Sequence, residues 1–277
     1  MKIEIELMGI LNLTPDSFSD GGRYFQQPEK ALQKIKTLAL EGANIIDLGA
    51  ESTRPGAQDL DAEEEIQRLL PVLSKIAISS AKISLDSRKA KTVDFFLQRY
   101  KEKIDFVNDV SSLEDPEMSE ILAKYFDNFA WQGSVILTHH RGIPASKKDL
   151  SRKTNLEIID EIIDFFQLKL EKLKKVSFPD HKIILDPGLG FGKNLEENLL
   201  IIKNINRLKE NFGLKILVGH SRKRFISQFF ALNSGFLDLK IRDLASHNFA
   251  LLLTNKKIDI IRSHEIKTLK NLLNLLT

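Results

Sequence analysis

A chain of 277 residues, 42% of them apolar and 29% charged, has the make-up of a folded globular protein with a large core, which excludes a disordered, collagen-like or membrane-bundle chain. Its net charge of +3 gives no reason to expect a nucleic-acid partner, although a local anion site remains open. The absence of cysteine excludes disulfides, thiolate metal sites, iron–sulfur clusters and a cysteine nucleophile.

Length alone is ambiguous. About 150 residues per domain suggests nearly two domains, yet α/β barrels of about 250 residues fold as one. The opening segment MKIEIELMGILNLTPDSF alternates charge with hydrophobe and lacks the apolar centre of a secretory signal. No apolar run approaches the roughly 18 residues of a membrane span. The expectation is a soluble cytoplasmic protein with no membrane partner.

In chain order, β-rich runs fall at 7–13, 44–50, 82–87, 104–110, 134–140, 182–188, 215–221 and 258–264. Amphipathic helical stretches follow each, near 28–41, 61–77, 89–100, 115–128, 155–175, 194–211, 222–233 with 238–254, and 265–276. Start signals mark several of them: Pro28 then Glu29, Asp61 before Glu63 to Glu65, and Asn194 before Glu196 and Glu197. Strands apolar on both faces are strands covered by helices. The alternation predicts an α/β fold closed as a single (β/α)8 TIM barrel over 1–277, with an open doubly wound sheet as the alternative. The closing KTLKNLLNLLT is expected to pack on its own domain; a membrane or partner contact is the other reading.

Nearly every predicted strand ends in polar or glycine-rich residues. They are Asn12 to Asp16, Asp47 with Glu51 to Gly56, Asp86-Ser87, Asn108-Asp109, His139-His140-Arg141, Asp186-Pro187-Gly188, Ser221-Arg222-Lys223, and Arg262 with His264. In a barrel these ends open onto one face, where active sites are built. Asp86, Asn108 and Asp186 could read the donor edge of a flat heterocycle, because a carboxylate accepts while an amide both donates and accepts. Taken singly, each could equally ligate a metal or tie the barrel rim. Gly188, Gly190 and Gly192 around Phe191 fit neither the phosphate-loop nor the dinucleotide pattern. They predict a pliant loop holding Phe191 over a ligand, or a purely structural turn. Lys223, Arg222, Arg262 and His264 concentrate positive charge after strands seven and eight, the habitual phosphate site of barrel enzymes.

The segments MGILNLTPDSFSDGGRY, DLGAESTRPGA, SLDS, VNDV, LDPGLGFGKN, VGHSRKRFI and IIRSHEI, in this order, resemble dihydropteroate synthase from about Met8 to near the end of the chain. The resemblance implies a (β/α)8 barrel that condenses 6-hydroxymethyl-7,8-dihydropterin pyrophosphate with 4-aminobenzoate in folate synthesis. It implies pterin contacts at Asp86, Asn108, Asp186 and Lys223. Pyrophosphate contacts fall at Asn12, Arg262, His264 and Thr53, with Asn12 also reaching Mg²⁺. The aminobenzoate pocket, the target of sulfonamide mimics, falls at Phe191, Ser221, Pro55 and Phe18. Asp86, Lys223, Arg54 and Asp16 carry the catalytic expectation, the last two on mobile loops, and the family implies a homodimer. Thr138-His139-His140 departs from the family's usual Met-His-Met. That departure keeps open a divergent pterin-binding paralogue of weak activity, and the shared pterin pocket a folate-dependent methyltransferase barrel.

Overall fold

Eight strands carry apolar side chains on both faces: β1 (Glu6–Asn12), β2 (Ile45–Gly49), β3 (Lys82–Asp86), β4 (Phe106–Asp109), β5 (Ser134–Thr138), β6 (Ile183–Asp186), β7 (Lys215–Gly219) and β8 (Ile260–Ser263). In the computed structural model, which describes residues 5–14, 24, 26–52, 59–76, 81–143, 155–231 and 238–275, they form a closed parallel barrel. Each strand pairs with the next, and β8 returns to β1 with Glu6 opposite Ile260. The open sheet is thereby excluded.

The connecting helices are α1 (Pro28–Glu41), α2 (Ala62–Leu73), α3 (Ala90–Tyr100), α4 (Met118–Phe129), α5 (Asn155–Lys175), α6 (Leu195–Asn204), α7 (Asn206–Phe212), α8 (Arg224–Phe229), α9 (Leu239–Ala250) and α10 (Lys267–Leu275). The predicted start signals act as expected. Pro28 opens α1, the Asp61 carboxylate accepts from Glu64 N at 2.8 Å, and Asn194 and Glu197 form a reciprocal capping box on α6. The stretch predicted as one helix over 194–211 is divided at Ile205 into α6 and α7. Leu269 and Leu273 of α10 are buried in the main core, so the leucines of the closing segment pack on their own fold.

The two-residue period of a strand sorts the core into two shells. Leu7, Leu11, Ile46, Leu48, Leu85, Val107, Leu137, Leu185 and Val218 point outward and pack under Leu38, Leu69, Phe96, Ile162 and Phe249 of the helices. Met8, Ile45, Phe106, Ile136, Ile184, Leu217 and Ile260 point inward and form a separate apolar plug that fills the barrel. At the N-terminal end of the strands, Glu6 pairs with Lys82 at 3.0 Å and Lys215 at 3.8 Å. These exposed pairs add little stability. The plug does the work of closing the barrel, and everything two residues further along each strand is lifted to its C-terminal mouth.

Truncating the plug should therefore be costly. Phe106→Ala is expected to lower the unfolding free energy by about 3–5 kcal/mol, read from urea titration. A loss under about 1 kcal/mol would mean that the inner layer is not tightly packed.

Candidate active site

Two positions beyond the plug, the inward face turns polar. β2 contributes Asp47, β3 Asp86, β4 Asn108, β5 Thr138, β6 Asp186 and β8 Arg262. Arg262 Nε donates to Asp47 Oδ2 at 2.6 Å, and Nη2 donates to Asp86 Oδ2 at 2.8 Å. Asn108 Nδ2 donates to the same Asp47 oxygen at 3.1 Å, while Asp47 Oδ1 has no hydrogen-bond partner among the described residues. Gly49 and Gly219 make room here: a Cβ on Gly49 would stand 3.3 Å from Asp86, and one on Gly219 3.7 Å from Asp186 Oδ2.

Burial pushes the Asp86 carboxyl well above its usual range. The neighbouring Asp47 adds to the rise, and Arg262 opposes it. Burial also raises Asp186, against the pull of Lys223 and the Gly188 N–H, which Asp186 Oδ1 accepts at 2.8 Å. For Lys223, burial lowers the ammonium to about 8, with Asp186 holding it up and Arg262 pressing it down. The mouth is thus a compact set of opposed charges, in which neighbours tune one another as they do in acid–base and electrostatic sites.

The turn after β7 carries Ser221, Arg222 and Lys223. Ser221 Oγ contacts His264 Nδ1 at 3.0 Å and accepts from His264 N at 3.3 Å. Lys223 Nζ donates to the Leu189 carbonyl and lies 4.4 Å from the centre of the Phe191 ring. Arg222 departs from the sequence expectation. It pairs with Asp243 on α9 through two bonds of 2.6 and 2.8 Å and so is not grouped with Lys223, Arg262 and His264.

The glycine loop after β6 is wired by side chains. Lys193 Nζ donates to the carbonyls of His139, Gly188 and Phe191 at 3.2, 2.8 and 3.3 Å. Three ammonium hydrogens meet three acceptors, and burial lowers this lysine to about 7. Arg141 Nη1 donates to the Gly192 carbonyl at 3.1 Å, and Gly190 N donates to Asn198 Oδ1 at 2.7 Å. These bonds hold the backbone on both sides of Phe191, the arrangement of the structural turn that was the other expectation. Gly188, at φ +65°, is pressed so close to β5 that a Cβ there would lie 1.8 Å from the His139 carbonyl oxygen.

The two histidines of the departing segment sit in packed surroundings. His139 lies against Phe165 of α5 at 4.8 Å, and burial drives its imidazole down to about 3. His140 Nε2 donates to the Ser111 carbonyl at 3.0 Å while Nδ1 accepts from Gly142 N, which fixes a neutral tautomer. Of the departing segment, only Thr138 faces the polar layer, opposite Asp186 in the strand register.

The structure brings Asn12, Asp86, Asn108, Asp186, Phe191, Ser221, Lys223, Arg262 and His264 to the C-terminal ends of their strands. Asp16, Phe18, Thr53, Arg54 and Pro55 lie outside the described residues. The sequence reading missed Asp47 as the hub of the layer, although one signal was available. A lone carboxylate inside the apolar run NIIDLGA must find a partner once buried. The roles of Lys193, Arg141 and Asn198 in holding the loop were missed for want of any pattern that shows which backbone groups they reach.

A family model described as pterin binding enzyme matches residues 8–264. The dihydropteroate synthase of Neisseria meningitidis serogroup C is 34% identical over 262 residues, covering 95% of this chain and 88% of that protein. The chain belongs to the dihydropteroate synthase family. Solved structures agree with this placement. The dihydropteroate synthase of Anaplasma phagocytophilum, with bound 6-hydroxymethylpterin-monophosphate, has a TM-score of 0.82 at 31% identity and covers 99% of each chain. That of Xanthomonas albilineans, with 4-aminobenzoic acid, has a TM-score of 0.83 at 29% identity, covering 99% of this chain and 92% of that one.

Because Gly188 meets backbone, which cannot swing away, Gly188→Ala is expected to cost about 3 kcal/mol or more in urea titration. A cost below about 1 kcal/mol would show that the loop can lift off β5.

Proposed function

We propose that this chain, as one pterin-binding domain over 1–277, joins 6-hydroxymethyl-7,8-dihydropterin pyrophosphate to 4-aminobenzoate, giving 7,8-dihydropteroate and pyrophosphate. The observation that carries this reading is the convergence of Asp86, Asn108, Asp186 and Lys223 on one barrel mouth, in a chain whose relatives across nearly its whole length are dihydropteroate synthases.

In this proposal Asp86, Asn108, Asp186 and Lys223 bind the pterin ring. Carboxylate, amide and ammonium together match an edge of alternating donors and acceptors. As the methylene C–O bond breaks, positive charge develops on the pterin, and the Asp-rich layer is preorganised to stabilise it. The electron pair leaves with the pyrophosphate, which Asn12, Thr53, Arg262 and His264 receive. Arg262 arrives already oriented, since two of its nitrogens are held by Asp47 and Asp86. The aminobenzoate nitrogen then bonds to the methylene carbon, and the proton it loses passes to water. Phe191, Ser221, Pro55 and Phe18 line its pocket, and Asp16 and Arg54 act from the loops after β1 and β2. No side chain forms a covalent intermediate.

The residues present also fit Mg²⁺ of one kind. Among the described residues no group of three or more His, Asp or Glu could hold a metal, so an all-protein cage is not offered there. A single amide oxygen at Asn12 suits an ion that keeps most of its waters and is held largely by phosphates. When bound, Mg²⁺ supplies charge neutralisation to the leaving pyrophosphate.

Incubation of the chain with the pterin pyrophosphate, Mg²⁺ and labelled aminobenzoate should give labelled dihydropteroate; none at high enzyme concentration would end the proposal. Lys223, lowered to about 8, should impose an alkaline limit. Its cationic form binds, so kcat/KM should fall as pH rises through about 8, and Lys223→Arg should remove that limb from the range.

A homodimer is part of the same proposal. Phe229, Phe230, Ile241 and Leu244 are large apolar side chains left exposed on or beside α8 and α9. Leu244→Glu should shift sedimentation velocity from dimer to monomer; an unchanged profile would place any interface elsewhere.

A further inference from the structure

Arg222 is a bulky residue held at φ +60°, in the left-handed region that such side chains rarely occupy. It stands between two residues of the mouth. Ser221 on one side meets His264, and Lys223 on the other reaches Leu189 and Phe191. The reversal at Arg222 lets both neighbours face the mouth while its own side chain points away.

What holds the reversal in place comes from α9. The Arg222 N–H donates to Ser246 Oγ at 2.9 Å, and the guanidinium grips Asp243 with Nε and Nη2 at 2.6 and 2.8 Å. The Ser246 hydroxyl donates its own hydrogen to the Arg242 carbonyl at 2.7 Å, which leaves a lone pair for Arg222. At the start of the turn, His220 Nε2 donates to the Ser246 carbonyl at 3.0 Å. Asp243 and Ser246 are three apart, so one face of α9 grips the turn through backbone and side chain together. Lys223 N closes the turn on the His220 carbonyl at 3.2 Å.

We propose that Asp243 and Ser246 are positioning residues for the reaction: through Arg222 they hold a strained turn that aims Lys223 and Ser221 into the mouth. This rests on the reading above that Lys223 contacts the pterin. Without the grip, the Arg222 backbone relaxes towards the right-handed region and turns Lys223 away from Asp186 and the Phe191 ring. Neither positioning residue touches substrate.

The test compares Asp243→Ala, Ser246→Ala and Arg222→Gly, each alone, and Asp243→Ala within Arg222→Gly. The full chain should show kcat/KM for the pterin pyrophosphate lowered on the order of tenfold in Asp243→Ala, mostly through KM. The melting temperature should stay within about 3 °C. The alkaline limb should move upward, because a lysine released from burial returns from about 8 towards 10.5. Ser246→Ala should act in the same direction. Glycine adopts the left-handed conformation freely and has no side chain for Asp243 to grip, so adding Asp243→Ala to Arg222→Gly should cost nothing further.

A second readout is independent of turnover. NMR titration of chain carrying ¹³Cε-labelled lysine, with the Lys223 signal assigned from Lys223→Arg, reports that ammonium directly. If the wild-type chain makes no dihydropteroate, the functional reading fails while this titration still decides the positioning claim. An unmoved Lys223 titration in Asp243→Ala, an unchanged kcat/KM in an active enzyme, or full additivity with Arg222→Gly would each overturn it.

Discussion

One guanidinium holds the mouth of this barrel together. Arg262 on the last strand bridges carboxylates on the second and third, 215 and 176 positions earlier in the chain. Burying Asp47, Asp86 and Asp186 near one another is expensive, and without a shared cation at least one would have to bind a proton or leave the layer. Arg262 offsets that cost in a fixed direction, because its planar fork can satisfy two carboxylates at once. The neutral bond from Asn108 completes the arrangement. Given this bridge, the positions of the polar groups at the mouth follow from the strand register, with little freedom left to individual rotamers.

Around that rigid centre, the remaining groups are supported from outside the barrel. Lys193, Arg141 and Asn198 tie down the glycine loop, and α9 ties down the turn after β7. Each support reaches backbone atoms, which places Phe191, Ser221 and Lys223 more firmly than contact with their side chains alone would. The arrangement is a polar layer over an apolar plug, with its strained parts at the rim where chemistry is expected.

Much of this was legible in the amino-acid sequence. The alternation of strands and helices predicted the closed barrel, polar strand ends named Asp86, Asn108 and Asp186 as companions, and the family resemblance added Lys223 to them. What was illegible has a physical pattern. Asp47 lay in plain view within NIIDLGA, but a partner 215 residues away leaves no local trace. Arg222 was grouped with the other cations because it follows the seventh strand; its left-handed backbone and its pairing with Asp243 direct it away from them. The glycine loop is fixed by lysine and arginine side chains, whose long stems allow many targets and so signal none. The single predicted helix at 194–211 breaks at Ile205 without any proline or glycine to announce it.

The contact between the glycine loop and β5 has a consequence for how such a site can diverge. Gly188 presses on the His139 carbonyl, Gly192 would meet the Arg141 side chain at 2.8 Å if it gained a Cβ, and Arg141 is in turn gripped by Glu161 of α5 and Glu197 of α6. Two segments some 50 residues apart are therefore parts of one mould. Within the unusual Thr138-His139-His140 stretch, His139 packs on Phe165 and His140 bonds only to backbone atoms of Ser111 and Gly142, but the backbone of the stretch cannot drift alone. A change that shifts β5 would press on the loop as well, so the two segments would have to be exchanged together when grafted between relatives.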